Sequence, residues 1–301
     1  MEITLKEQLI YLQSQGMTYS QQWKYLRSYY ARVGKEAGSL ADCQAVLSQV
    51  QSQLGKCWAQ EISFRDYPSL QAQVRSWSQE AIFIEETDLF PRIWLEIPQP
   101  PLLIYYRGRI DLLKQPCVSL VGTRQISSYG RKVTQELTQA IIDQGWVVVS
   151  GLAQGIDTIS HQTADQWQSG QTIAIIATGL DQAYPTSNQQ LQDRLSQRHL
   201  VLSEYPPKQG ALKHHFVMRN RLVAGLSPVT IVIEAAQKSG SLITANYALQ
   251  FNREVLAVPG RIDDPCSKGC NLLIQAGAQP VVDLADTIQT IAELMAFQQI
   301  N

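Results

Sequence analysis

The chain carries no surplus of positive charge, since its 25 Lys and Arg residues are matched by 26 Asp and Glu residues, giving a formal net charge of −1 at pH 7. Binding of nucleic acid or an acidic membrane through overall charge is therefore excluded, and any basic site must be local. Long apolar runs are also missing, because none reaches the ~18 residues that a membrane-spanning helix needs. The segment Met1–Ile10 mixes charged and apolar residues and does not resemble a signal peptide.

Cysteine is scarce and shows no pairing pattern. The chain has five cysteines, an odd number, which is typical of a reduced, cytoplasmic protein. Cys266 and Cys270 form the only close pair, and no second pair of ligands follows them as it would in a zinc site. We therefore expect a cytoplasmic protein without a metal, a bound cofactor or a membrane partner.

The 301 residues, 45% of them hydrophobic, suffice for two domains. Residues 1–80 are rich in Gln, Ser, Tyr and Trp, with apolar residues at helical spacing, and this pattern predicts a small helical accessory domain. Residues 81–301, which include a proline-rich connector at Pro98–Pro101, are predicted to form a second and larger domain.

Short apolar runs alternate with helical segments along the second domain. The runs predict strands at Cys117–Val121, Trp146–Val149, Thr172–Ala177, Leu200–Leu202, Val229–Ile233 and Val255–Val258. The segments between them predict helices at Tyr129–Gln144, Asp157–Gln168, Gln189–Gln197, Val217–Leu226, Leu242–Asn252 and Gly269–Ala276, with a last helix at Leu284–Phe297. Fully apolar strands alternating with helices indicate an α/β fold with a doubly wound, mainly parallel, Rossmann-like sheet.

Ligands bind such sheets beyond the carboxyl ends of the strands, so the loops there are the first candidates for a site. After the first strand, Gly122 permits a tight turn, Arg124 supplies a cation suited to phosphate, and Ser127 or Ser128 can begin a helix whose amides attract phosphate. An ordinary turn with a surface arginine explains that segment equally well.

Two glycines, Gly151 and Gly155, follow the second strand and permit close approach of a ligand to the backbone. The G-x-G-x-x-G signature of a dehydrogenase, with an acidic residue ending the second strand, is not present. We expect Asp157 to cap or brace its helix and His161 to be a packed histidine rather than a catalytic one.

Positive charge is concentrated in two segments. Residues 208–221 carry a local charge of +4 and residues 107–132 a local charge of +5. If both lie at one edge of the sheet, they form a basic pocket that contains Phe216. Cations beside an exposed aromatic ring are the combination that binds single-stranded nucleic acid, with phosphates on the cations and bases on the ring. The alternative is a buried Phe216 beneath a solvated charged surface.

A third candidate loop lies after the fifth strand. Ser239-Gly240-Ser241 begins a helix and offers a further group of anion-binding amides. Glu234 ends the strand before it, either as a catalytic carboxylate or as the partner of a basic neighbour. Because no second carboxylate is placed to work with it, we favour the second interpretation.

Several of these segments together resemble the family of the DNA-processing protein DprA, also called Smf. The resemblance covers about residues 90–282 and lies in Pro98–Gly108, Val121–Arg124, Ser150–Asp157, Ser203–Pro207, Phe216–Arg221, Ser239–Ala245, Val258–Gly260 and Gly269–Ile274. The family implies an extended Rossmann fold that binds single-stranded DNA, forms a homodimer and helps load the RecA recombinase during natural transformation, partly by overcoming single-strand-binding protein. It does not imply an enzyme.

The resemblance places the family's binding motifs on Arg124, on Lys213 and Phe216, and on Arg219-Asn220-Arg221. With the candidates from the loops, the predicted DNA-binding set is Gly122, Thr123, Arg124, Gly151, Gly155, Lys213, Phe216, Arg219, Asn220, Arg221, Ser239, Gly240 and Ser241. The predicted dimer surface is formed by Leu272-Leu273-Ile274 with Leu284, Ile288 and Ile291.

The sequence departs from the family in two places. His215-Phe216-Val217 stands where Asn-Phe-Pro is common, and no C-terminal winged-helix-like domain is expected after the last helix. In addition, the N-terminal 80 residues match the family's accessory domain only loosely. Two alternative functions remain at this point. One is a nucleotide-cleaving hydrolase of the lysine-decarboxylase-like group, whose P-G-G-x-G-T-x-x-E motif is missing around Glu234–Ser241, and the other is a scaffold that binds only proteins.

Overall fold

The computed structural model describes residues 2–55 and 62–300, with side chains up to residue 296. The chain divides into two compact units. The first unit contains the residues up to Glu86 together with Pro101–Tyr105, and the second contains Thr87–Pro100 and the residues from Tyr106 onward. The division thus falls at Glu86, a few residues beyond the predicted boundary at residue 80, because strand Ala81–Phe83 pairs with the returning segment Leu103–Tyr105.

The first unit is mainly helical. Its elements are β1 (Glu2–Ile3), α1 (Leu5–Ser14), α2 (Tyr19–Arg32), β2 (Gly38–Ser39), α3 (Leu40–Leu54), α4 (Tyr67–Gln79), β3 (Ala81–Phe83) and the start of β4 (Leu103–Gly108). Capping boxes at Thr4, Thr18 and Ser39 begin the first three helices. Tyr25 and Tyr29 are fully buried in the core of this unit.

The second unit alternates strands and helices. Its elements are β5 (Cys117–Val121), α5 (Ser128–Asp143), β6 (Val147–Ser150), α6 (Ile156–Gln166), β7 (Thr172–Ile176), α7 (Gln189–Arg198), β8 (Leu200–Ser203), α8 (Lys213–Gly225), β9 (Val229–Val232), α9 (Ser241–Gln250), β10 (Glu254–Ala257), α10 (Lys268–Gln275), β11 (Gln279–Pro280) and α11 (Leu284–Ile300). No helix of the described residues is long and apolar enough to span a membrane.

The strands of the second unit form a parallel sheet in the order β11-β10-β9-β5-β6-β7-β8. Winding proceeds from β5 through β6 and β7 to β8, then returns to β9 on the other side of β5. The predicted doubly wound, Rossmann-like sheet is confirmed. The point at which the order reverses, between β5 and β9, opens a crevice at the carboxyl ends of the strands.

Both faces of this sheet are covered. Successive side chains of a strand point to opposite faces, and Val118, Ser119 and Leu120 are all fully buried. Val118 and Leu120 belong to the apolar cluster that includes Leu137 of α5, whereas the Ser119 hydroxyl donates a hydrogen bond to the carbonyl of Val223 in α8 at 2.8 Å. The continuous apolar pattern of the strands follows from this double coverage.

Helix α8 differs from its prediction, because it begins at Lys213 rather than Val217. No helix was predicted between Lys208 and Phe216, where the sequence is rich in charge and histidine. In the structure the ring of His215 is buried and stacks on Tyr205, with ring centres 3.7 Å apart. This packing stabilises one more helical turn, so that Phe216 lies on a helix.

The predicted dimer surface also needs one correction. Ile291 is fully buried and belongs to the apolar cluster beneath the sheet, where Ile288 packs beside it. This part of the apolar face of helix α11 therefore packs into the core of the second unit. Leu272 and Leu284 remain exposed.

Candidate single-strand-binding crevice

A cavity of about 520 Å³ lies at the crevice between β5 and β9. Three loops and one face of α8 line it, and they contribute most of the predicted set: Gly122, Thr123, Arg124, Gly151, Phe216, Arg219, Asn220, Ser239, Gly240 and Ser241. The two basic segments thus reach the same edge of the sheet. Gly155, Lys213 and Arg221 are not part of this lining.

Arg124 and Phe216 contact each other in the lining of the cavity. The Arg124 side chain is exposed in the turn after β5, and Phe216 is half-buried on the first turn of α8. The guanidinium carbon of Arg124 lies over the ring of Phe216, 5.6 Å from its centre, which is within the range of a cation–π interaction. A phosphate-binding cation and a stacking surface are therefore adjacent.

The start of α9 adds a second group suited to anions. Its N-cap is Gly240, which has no side chain to occupy the positive end of the helix. The hydroxyls of Ser239 and Ser241 lie 2.8 Å apart, and both residues line the cavity with Lys238. Hydroxyls, a helix N-terminus and an ammonium group together attract negative charge to this wall of the cavity.

The start of α5 is not available to an anion in the same way, so of the two interpretations of this segment the structure favours the ordinary turn at the start of the helix. The Ser127 hydroxyl caps the helix by accepting a hydrogen bond from the amide of Gly130 at 2.9 Å. The buried carboxylate of Glu234 accepts a second bond from the amide of Ser127 at 3.0 Å and a short third one from its hydroxyl. The carboxylate of Glu234 thus occupies the anion-binding position at the start of α5. Glu234 is therefore the partner of this neighbouring helix.

Arg219 lines the cavity but is not the exposed cation that the sequence suggested. It is 5% exposed, and its Nη1 atom donates hydrogen bonds to the carbonyls of Gly151 and Ile175, the latter at 2.5 Å. A Cβ atom at Gly151 would overlap the guanidinium, so the glycine makes room for it. Burial lowers the pKa of Arg219. Through its two hydrogen bonds the side chain connects α8 to the ends of β6 and β7.

The structure contradicts the prediction of Arg221 as a DNA-binding residue. The residue is 1% exposed and forms an ion pair with Glu204 at 2.5 Å. On a helix, Arg219 and Arg221 project in different directions, and the direction of Arg221 leads into the protein. Lys213 is exposed at the start of α8. Gly155 has a φ of 83° and lies against the carbonyl of Thr123, so its role in the structure is to position that turn.

Two predictions for the helix after β6 are confirmed. A carboxylate oxygen of Asp157 accepts a hydrogen bond from the amide of Ala153 at 3.2 Å, which braces the loop at the start of α6. Burial raises the pKa of Asp157, and the nearby Arg219 opposes this effect. His161 is fully buried, with its Nδ1 atom 2.8 Å from the Thr172 hydroxyl, and burial lowers its pKa to about 3.

The cysteines form no metal centre in the described part of the chain, where no group of three or more His, Cys, Asp or Glu residues is placed to hold an ion. Cys43, Cys117, Cys266 and Cys270 are free thiols, and Cys57 lies outside the described residues. Cys270 is fully buried and packs inside the protein, and this burial raises the pKa of its thiol to about 12.

Sequence reasoning missed two residues at the crevice. Lys238 lines the cavity directly before the serines of α9. Tyr184 lies in the loop after β7, with its ring centre 5.0 Å from that of Phe216. The rule that ligands bind beyond the carboxyl ends of strands applies to the β7 loop as well, and reading that loop for aromatic residues would have found Tyr184.

Comparison with known proteins identifies the family of the chain. Residues 81–292 match the family model described as DNA recombination-mediator protein A. The DNA processing protein DprA of Streptococcus pneumoniae is 47% identical over 201 residues, which are 67% of this chain and 71% of that protein. The Bacillus subtilis DprA is 44% identical over 66% of this chain and 68% of its own length.

Solved structures extend the likeness to the fold. The X-ray structure of S. pneumoniae DprA is similar with a TM-score of 0.79 and 39% identity, over 97% of this chain and 99% of that one. DNA processing protein A from Helicobacter pylori, studied for its single-stranded DNA binding mode, has a TM-score of 0.64 and 31% identity over 71% of this chain and 96% of its own. The chain therefore belongs to the DNA recombination-mediator protein A family.

Proposed function

We propose that the crevice between β5 and β9 binds single-stranded DNA. The observation that carries the proposal is the exposed Arg124 lying over the half-buried ring of Phe216, beside the start of α9. Phosphates would contact Arg124, Lys238 and the first turn of α9, while a base would stack on Phe216. Because every base offers a π-face, such a site tolerates any base sequence.

The same proposal assigns a role in recombination. We propose that the protein holds incoming single strands, overcomes single-strand-binding protein and helps load RecA during natural transformation. Membership of a recombination-mediator family supports this role. We propose that it does so as a homodimer, for which Leu272 and Leu284 offer exposed apolar surface, and that it acts by binding rather than by catalysis.

The hydrolase alternative depends on a catalytic carboxylate at the crevice. Glu234 is the candidate at the end of β9, yet it is 1% exposed and both of its oxygens accept hydrogen bonds from Ser127. A carboxylate held in this way serves as a helix cap. The geometry favours DNA binding over nucleotide cleavage.

Two assays test the proposal. Fluorescence anisotropy should show tighter binding of labelled oligo-dT than of a duplex of equal length, because bases in a duplex are not free to stack on Phe216. RecA filament formation on strands coated with single-strand-binding protein should accelerate when the protein is added. Equal binding of duplex and single strand would overturn the site, and an unchanged rate of filament formation would overturn the loading role alone.

A further inference from the structure

Tyr184 is an exposed aromatic residue beside the crevice. It lies in the loop between β7 and α7, and 47% of its surface is exposed. Its ring centre is 5.0 Å from that of Phe216, and the two ring planes are tilted by 57°. Large aromatic side chains are among those that proteins tend to bury, so two adjoining rings open to solvent at a ligand-binding edge indicate a function.

The loop that carries Tyr184 is held in place by hydrogen bonds on both sides. Within the loop, the Thr178 hydroxyl donates to the carbonyl of Gln182 at 2.6 Å. The amide of Lys208 donates to the carboxylate of Asp181 at 2.8 Å. After the loop, the side-chain amide of Asn188 donates to the carbonyl of Leu152 at 3.0 Å. The loop backbone on both sides of Tyr184 is therefore held in place before any ligand binds, which lowers the entropy cost of binding.

Tyr184 is also the more accessible ring of the pair. Phe216 is half-buried, and Arg124 lies over its ring. Within the described residues, the cation–ring contacts fall on Trp23, Tyr30 and Phe216 and not on Tyr184. The ring of Tyr184 is thus accessible to a base that reaches the crevice, whereas at Phe216 the base would contact the ring beside Arg124.

We propose that Tyr184 is a second base-stacking residue and that the site takes two neighbouring, mutually unstacked bases, one on each ring. This inference rests on the proposed function of the crevice. Rings tilted by 57° cannot both lie parallel to successive bases of a stacked helix, in which the base planes are parallel. Only a flexible single strand can turn one base against Phe216 and the next against Tyr184, so the pair of rings selects single strands.

The test is the affinity of the Tyr184→Ala variant for labelled oligo-dT. Loss of one stacking contact should weaken binding about 5- to 150-fold, while Tyr184→Phe keeps the ring and should bind like the unchanged protein. Tyr129→Ala is the matched control, because Tyr129 is 48% exposed on α5 and, among the described residues, the ring paired with Phe216 is that of Tyr184 and not that of Tyr129. It should leave the affinity unchanged, and the melting temperatures of all three variants should stay close to that of the unchanged protein.

The outcomes separate this inference from the proposed function. If the unchanged protein binds oligo-dT and Tyr184→Ala binds equally well, Tyr184 is not a stacking residue and the crevice remains a DNA site through Arg124 and Phe216. If Tyr184→Phe is as weak as Tyr184→Ala, the hydroxyl rather than the ring is needed, which also overturns the stacking role. If the unchanged protein does not bind oligo-dT, the proposed function fails and the inference fails with it.

Discussion

The guanidinium of Arg124 lies 5.6 Å from the centre of the Phe216 ring. One residue belongs to the turn after β5 and the other to the first turn of α8, so folding of the whole sheet is needed to bring them together. The contact places a phosphate-binding cation beside a base-binding surface.

Replacing Phe216 by alanine should weaken binding of oligo-dT by about 1–3 kcal/mol, or about 5- to 150-fold, because a base loses its stacking surface. Since the ring is half-buried, the free energy of unfolding should fall by less than the 3–5 kcal/mol that is typical of a buried Phe→Ala substitution. Anisotropy and denaturant unfolding on the same variant measure the two effects. A large loss of stability with unchanged DNA affinity would identify Phe216 as a core residue.

Replacing Arg221 by methionine should destabilise the fold by about 3–5 kcal/mol, since it leaves the carboxylate of Glu204 in a largely buried site without its ion-pair partner. The double variant Arg221→Met with Glu204→Gln should recover much of this loss, because it removes both charges. Chemical denaturation of the three proteins measures the free energies. If Arg221→Met kept full stability but lost DNA affinity, the residue would be a phosphate contact after all.

Acidification should destabilise the protein through His161. Burial lowers the pKa of this histidine from 6.5 to about 3, so below pH 6.5 the unfolded chain binds a proton that the folded chain excludes. Its contribution to stability is complete above pH 6.5 and is lost as the pH falls towards 3, with a limiting slope of about 1.4 kcal/mol per pH unit. In His161→Gln the free energy of unfolding should fall less steeply between pH 7 and pH 5. Parallel slopes in the two proteins would show that His161 does not carry this dependence.

The strands and most helices could be predicted because their signals are local. The strand Cys117–Val121 was predicted with its observed bounds, since a short, mostly apolar run between helical segments is typical of a buried strand. The start of α8 could not be predicted, because the burial of His215 against Tyr205 is a tertiary contact. The resemblance and the rule for loop positions together predicted half of the residues that line the cavity.

Side-chain direction limited the prediction of the site. Arg124, Arg219 and Arg221 look alike in the sequence, yet one is exposed, one ties α8 to two strands and one is paired inside the protein. The local charge of the sequence cannot distinguish these three arginines, because the burial of an arginine depends on whether distant segments supply hydrogen-bond acceptors for it. Glu234 shows the same limit, since its partner Ser127 belongs to another loop.

The most direct test of the account compares two charge reversals across a salt series. Arg124→Glu changes the cation over Phe216, and Arg131→Glu makes the same change in charge at an exposed position of α5 outside the cavity lining. For single strands, the logarithm of the affinity should fall with the logarithm of salt concentration by about 0.7 for each neutralised phosphate. We expect Arg124→Glu to lose most of its affinity for oligo-dT and to show a shallower salt slope, with its melting temperature unchanged, while Arg131→Glu binds nearly as well as the unchanged protein. Equal affinities and equal slopes for the two variants would contradict a DNA site at Arg124 and Phe216.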